Sequence, residues 1–348
     1  MAMNEFEFIN RIKKLAQDRG AAPGLVRGIG DDAAVFKSFV GSDVVVSADL
    51  LVEDVDFQRH TTQADWLGHK ALAVSLSDLA AMGARPRWAL LSIGVPEDIW
   101  NSDYLDSFYD GFFRLANRYD VGLIGGDVSR TSDKIVIDSI VLGETAKAGA
   151  VFRAGAEPGD QIFVTGFLGD AAAGLRLIER GARLHQRATT DFSPSGSDVE
   201  RDPHSLDYLL LRQLQPEPRA GWGLLIGKQQ LATSMIDISD GLSSDLNHLC
   251  TESEVGAVID AAAIPINPLV TELTGRRALD PLMLALHGGE DFELLFTVNP
   301  TNVSKLPRRV DGVPVTRIGE IEAAADGVRV LEGSRTWILE PGGWQHFK

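Results

Sequence analysis

Phe6, Ile9, Ile12, Leu15 and Ala16 return at three- and four-residue intervals before Gly20, a spacing that predicts an amphipathic surface helix over residues 6–19. The period then changes. Between Asp43 and Asp49, Val44, Val46 and Ala48 face one way in a predicted strand, and Ser47 and Asp49 share the other face. A helix over 64–82, a strand over 88–95, a helix over 102–119 and strands over 121–124 and 134–142 are expected next. This alternation predicts an α/β or α+β domain of about 145 residues.

The pattern restarts beyond an alanine- and glycine-rich stretch at 146–159, which contains Arg153 and reads as a linker. A strand over 161–165 and a helix over 169–180 are expected, then a polar, aperiodic surface insertion at 182–205. A strand over 234–239, a helix over 242–252 and a strand over 292–298 lead to a tail of short strands and turns. The expected division is therefore 1–148 and 149–348, with the insertion in the second part.

Composition narrows the class. The 348 residues are 44% hydrophobic and 24% charged, ordinary for a soluble globular protein and too apolar for a disordered one. A net charge of -16 would repel a nucleic-acid backbone or an anionic membrane, and would repel ATP unless divalent cations mediate the contact. Neither nucleic acid nor membrane is expected as a partner. The single cysteine, Cys250, excludes an intrachain disulfide framework. With no long apolar tract and no signal-like N-terminus, a cytoplasmic location is expected.

The charge itself is unevenly placed. Aspartates recur beside glycine or small residues at Gly30-Asp31-Asp32, Ser47-Ala48-Asp49, Ser77-Asp78, Gly126-Asp127 and Asp237-Ile238-Ser239-Asp240-Gly241, with almost no basic neighbour. An unpaired buried carboxylate costs several kcal/mol, so a metal ion is the expected counter-charge; hard oxygen donors suit Mg²⁺, which in enzymes usually accompanies phosphate. Asp78 is the only charge between Ala71 and Gly83, on a stripe with Ala71, Val74, Ser75 and Met82. A buried aspartate capping a neighbouring loop would look the same. Helix capping accounts for Asp240 alone but not for Asp237, which lies inside the apolar strand. Gly125-Gly126-Asp127 permits close backbone approach to phosphate, although an ordinary turn has the same composition. Gly288-Gly289-Glu290-Asp291 reads equally as a turn entering a strand. The chain has no Walker lysine or kinase glycine-rich loop, and its histidines form neither a zinc spacing nor a triad.

Taken in order, Gly28–Ala34, Leu51-Val52-Glu53, Ser75–Ala84, Gly125-Gly126-Asp127, Ile238–Leu242 and Gly288–Leu294 resemble the thiamine-monophosphate kinase family, within the aminoimidazole-ribonucleotide-synthetase-like superfamily. The ordered set spans nearly the whole chain. The resemblance implies an N-terminal α+β mixed-sheet domain that forms a barrel across a homodimer, and a C-terminal α/β domain. It implies ATP-dependent conversion of thiamine monophosphate to thiamine diphosphate, with several Mg²⁺ ions per site. By the same resemblance Asp32, Ser47, Asp49, Asp78, Asp127, Asp237 and Asp240 are metal ligands, and Gly126, Asp127, Arg153 and Ser239 hold ATP. Glu290 and Trp344 would contact the acceptor. Two positions depart from the family: Ala48 replaces an expected threonine, and Asp56 stands where a substrate-contacting histidine is frequent.

No catalytic side chain is required by this chemistry. A phosphate monoester has its second pKa at about 6, so the acceptor is already ionised at neutral pH and needs no general base. Other readings stay open on sequence alone: another ATP-dependent synthetase of the superfamily, of the purine ring-closing or selenophosphate type, or a noncatalytic nucleotide- or metal-binding module. The reactive N-terminal cysteine typical of selenophosphate enzymes is absent.

Overall fold

The computed structural model describes residues 5–18, 24–27, 35–36, 41–184, 205–274 and 280–344. Two compact units divide between Ala150 and Val151. The first contains α1 (Glu5–Asp18), β1 (Leu25–Arg27), β2 (Val35–Phe36), β3 (Ser42–Val52), α2 (Ala64–Ala81), β4 (Arg85–Val95), α3 (Glu97–Trp100), α4 (Tyr104–Arg118), β5 (Gly122–Arg130) and β6 (Val136–Ala146). Its main sheet has the order β3-β6-β4-β5, antiparallel except for the β4–β5 pair.

Alternation assigns the two faces of this sheet. Leu51, Ala89, Leu91, Ile93, Ile137 and Val141 turn inward and pack with Leu67, Leu72, Leu76 and Leu79 of α2 and Phe108 and Phe112 of α4. Every residue of α2 except Asp65 and Asp78 is buried, as befits a helix that is apolar all round. The opposite face carries a small cluster of Trp88, Ile124 and Leu142, and beyond it Val44, Val46 and Leu50 are exposed.

Gly125-Gly126-Asp127 is not a turn. β5 runs through it to Arg130, with an irregularity where Ala89 pairs with Leu123 but Leu90 pairs with Gly125, so Ile124 is an extra residue. A Cβ on Gly126 would stand 2.0 Å from the carbonyl oxygen of Leu91, so no other residue fits this backbone.

The second unit is built on a mixed eight-stranded sheet. In chain order it contains β7 (Gln161–Thr165), α5 (Asp170–Glu179), α6 (Leu206–Leu214), α7 (Ala220–Gln229), β8 (Ser234–Ile238), α8 (Leu242–Ser253), β9 (Val255–Asp260), α9 (Pro268–Thr274), α10 (Pro281–His287), β10 (Glu293–Val298), β11 (Arg309–Val310), β12 (Val313–Ala323), β13 (Val328–Glu332) and β14 (Arg335–Ile338). The order is β14-β13-β9-β12-β7-β10-β8, with β11 beside β12. Ile236 and Ile238 of β8, Val164 of β7 and Leu295 of β10 pack with Leu242, Leu246 and Leu249 of α8. Most of the insertion expected at 182–205, and the Gly28–Ala34 motif with Asp32, lie outside the described residues. Among the described residues no helix is long and apolar enough to cross a membrane.

Candidate functional site

In the first unit, the strand period and the helix repeat bring three predicted residues together. Ser47 and Asp49 lie on the inward face of β3, under α2, and the Ser47 hydroxyl donates to Asp78 Oδ2. Asp49 Oδ2 is buried and has no hydrogen-bond partner. Burial, then the charges of Asp78 and Asp138, push the Asp49 carboxyl up to about 6 against a partial offset from Ser75. Ser75, one turn before Asp78 on α2, donates to the carbonyl of Ser139, 3.1 Å away.

Asp127 is placed differently. The register aligns Asp49 with Ser139, Leu91 and Gly126, while Asp127 aligns with Ser92 and Asp138. Neighbouring rows point to opposite faces, and β3 and β5 are three strand spacings apart, about 14 Å. Asp127 is exposed on the open face and does not join Asp49 and Asp78 within this unit. Asp56 closes the turn after β3: its Oδ2 accepts the Val52 amide at 2.8 Å. Glu53 is buried in a forked pair with Arg59, at 2.9 and 2.8 Å, and accepts the Ile135 amide at 2.9 Å, which explains that acidic position structurally.

In the second unit the strand-to-helix turn after β8 gathers Asp237, Ser239 and Asp240. Asp237 is buried, on the face of β8 opposite Ile236 and Ile238. Asp245, which the sequence reading missed, reaches back from α8 and accepts the amides of Asp240 (3.2 Å) and Gly241 (3.0 Å). Burial and the charges of Asp237 and Asp240 push it up to about 8. The N-cap is Gly241 and Asp245 stands one position beyond the N3 place of a capping box, so no standard capping pattern marked it in the sequence.

The Gly288–Asp291 loop docks on this turn. The Glu290 amide donates to Ser239 O (2.7 Å), the Phe292 amide donates to Ile238 O (2.8 Å), and the Gln213 side chain donates to the Glu290 carboxylate. Glu290 and Phe292 have φ of 64° and 50°, and left-handed backbone at such residues costs on the order of 1–3 kcal/mol each. What holds them lies beneath. Asp291 accepts the Gly169 and Ala171 amides at the start of α5, at 2.7 and 3.1 Å. Glu293 receives Arg212 (3.0 Å), Arg219 (2.6 Å) and the Thr165 hydroxyl (2.6 Å), and Arg212 also donates to the Asp291 carbonyl. Trp344 is half exposed, its amide 3.1 Å from Asp240 O. Arg153 is exposed beside β8, its carbonyl accepting from Ser253 at 3.0 Å.

Among the described residues no three His, Cys, Asp or Glu side chains form a preassembled metal cage. The donor sets present still suit Mg²⁺, which binds through one or two carboxylates and completes its shell with water and substrate phosphate. The unpartnered Asp49 oxygen beside Asp78 and Ser47 is such a set.

This pair of units, with acidic turns at the strand ends, defines a class. Residues 30–145 match the AIR synthase related protein N-terminal domain and residues 157–332 match the AIR synthase related protein C-terminal domain. The chain is 37% identical to the thiamine-monophosphate kinase of Escherichia coli K12, over 100% of this chain and 99% of the relative. The crystal structure of thiamine-monophosphate kinase from Stenotrophomonas maltophilia K279a is 38% identical and superposes with a TM-score of 0.78, covering 95% of this chain and 97% of that one. AaThiL complexed with AMPPCP and TMP is 33% identical, with a TM-score of 0.75 over 99% and 97% of the two chains. The chain belongs to the thiamine-monophosphate kinase family.

Proposed function

We infer that this chain transfers the γ-phosphoryl group of ATP to thiamine monophosphate, yielding thiamine diphosphate and ADP. Full-length likeness to thiamine-monophosphate kinases supports the activity, and one observation carries the site: a buried carboxylate oxygen of Asp49 without a partner, beside Asp78 and Ser47. In the proposed assignment Asp32, Ser47, Asp49, Asp78, Asp127, Asp237 and Asp240 hold Mg²⁺. Gly126, Asp127, Arg153 and Ser239 hold ATP. Glu290 and Trp344 receive the acceptor, with Trp344 stacking on its rings. Asp56, a carboxylate, suits the cationic thiazolium end of the acceptor and not its phosphate.

Transfer is proposed to be direct and in line. The acceptor phosphate is already an anion, so the protein supplies positions and charge, not a base. Bound Mg²⁺ would offset the repulsion between two polyanionic substrates and stabilise the charge that spreads over the transferring group. The test is turnover of thiamine monophosphate by Asp78→Asn under saturating ATP. Loss of Mg²⁺-dependent thiamine diphosphate formation by roughly a hundredfold or more is expected for a lost charge-stabilising ligand; normal turnover would remove Asp78 from the metal set.

The open sheet face supports a second assignment. Val44, Val46 and Leu50 are 46%, 59% and 58% exposed on one edge strand, a contiguous apolar stripe that water would disfavour. We read it as the homodimer contact through which two such sheets close a barrel. Val46→Glu is expected to shift the sedimentation coefficient from dimer to monomer.

A further inference from the structure

The C-terminal segment is fastened to α8 almost residue by residue. Asn247 Nδ2 donates to Leu339 O (2.9 Å), the Gly342 amide donates to Ser243 Oγ (3.2 Å), the Gly343 amide donates to Ser244 Oγ (3.1 Å), and the Trp344 amide donates to Asp240 O (3.1 Å). Ser243 Oγ lies 2.8 Å from His287 Nδ1. That oxygen accepts from Gly342 and has both a second lone pair and a proton to offer, so the His287 tautomer decides which of the two partners donates. Burial lowers the His287 pKa.

The contact is close as well as polar. A Cβ at Gly343 would stand 2.1 Å from Asp240 O and 2.7 Å from Ser244 Oγ, so the segment sits with its backbone against the turn. Ser244 is buried, whereas the Trp344 side chain is 53% exposed. The backbone is thus fixed while the indole is left at the surface. Asp240 faces both ways: its carbonyl receives Trp344, and its carboxylate belongs to the proposed metal set, next to the Ser239 carbonyl that anchors Glu290.

We propose that Ser244 is a positioning residue for the acceptor: through the Gly343 amide it sets where Trp344 stands relative to Asp240 and Glu290. The proposal rests on the reading of Trp344 as the acceptor's stacking platform. A platform held in place before binding loses less conformational entropy when the ring docks, so loosening it weakens acceptor binding and leaves ATP binding alone.

The experiment compares the full-length chain with Ser244→Ala, Asn247→Ala, Ser244→Thr and Trp344→Ala. Separate KM values for thiamine monophosphate and ATP are measured with hydrogen exchange of the segment containing residues 339–344. Ser244→Ala is expected to raise the KM for thiamine monophosphate roughly three- to tenfold, the range set by one lost hydrogen bond, with the ATP KM unchanged and exchange of the segment accelerated. Asn247→Ala, which releases Leu339, should move the same two readouts in the same direction; Ser244→Thr, which keeps the hydroxyl, should reverse them. Faster exchange with an unchanged thiamine monophosphate KM would overturn the proposal. So would an equal rise in both KM values, which would place the effect on the Asp240 turn. If Trp344→Ala leaves the thiamine monophosphate KM intact, the platform reading itself fails, a result separable from failure of Ser244 alone.

Discussion

Asp49 is held by the metal-free fold against its own electrostatics: it is desolvated, it feels the negative charges of Asp78 and, more weakly, Asp138, and one oxygen has no donor. A group that the fold disfavours and the reaction requires should separate stability from activity. Asp49→Asn is therefore expected to raise the Tm of the chain in EDTA, through a gain in unfolding free energy on the order of 1–2 kcal/mol after solvent screening, and to abolish any stabilisation that added Mg²⁺ gives the parent. Thermal melts with and without Mg²⁺ check both halves; a mutant that is less stable in EDTA would place Asp49 in an ordinary hydrogen-bonded role. The face of this residue was legible from the period-two alternation of β3 alone. Ser75 was not recognised as its neighbour, because a serine in a small-residue helix carries no signal until the strand beneath it is known.

The elements expected from periodicity lie where the pattern put them, as with the helix read at 64–82 and found at Ala64–Ala81, and the strand read at 161–165 and found there. β5 differs for a physical reason. The pattern predicts a strand only over 121–124 and leaves the glycines to a phosphate approach or a turn, yet here they let the strand continue past an extra residue with its backbone pressed on Leu91. Gly126→Ala should consequently distort β5 and shift Asp127, lowering both Tm and ATP-dependent turnover, whereas Gly125→Ala, whose Cβ would meet only the Leu90 side chain at 3.1 Å, should be milder. Comparable effects of the two would refute the close-approach argument. The Glu293 network was invisible to a linear reading, since Thr165 ends β7, Arg212 lies in α6 and Arg219 immediately precedes α7. Glu293→Gln removes the carboxylate that both Arg212 and Arg219 pair with directly in the interior and is expected to cost about 3–5 kcal/mol by urea unfolding.

At the scale of the whole molecule the buried acids set the response to pH. Burial foremost pushes Asp170 up to about 6, Asp291 to about 7 and Asp245 to about 8, all from 3.8. Between those limits the folded chain binds more protons than the unfolded chain, so the stability they contribute is fully present below about pH 4 and is lost as pH rises through the folded values. The metal-free protein should therefore lose Tm steadily between about pH 5 and 8, at about 2–4 °C for each kcal/mol in a domain of this size. The net charge of -16 also disfavours the compact state as acids ionise, but repulsion among exposed groups is screened by salt and ionisation of buried ones is not. Melts at pH 5.5 and 8 in EDTA, repeated in about 0.5 M NaCl, separate the two, since screening at that concentration reaches only exposed pairs. A decline that persists in salt and is reduced by Mg²⁺ at pH 8 is the expected result, because the proposed ion would bind the folded chain through carboxylates that must be ionised. A decline that salt removes would assign the pH response to the acidic surface instead of the buried aspartates.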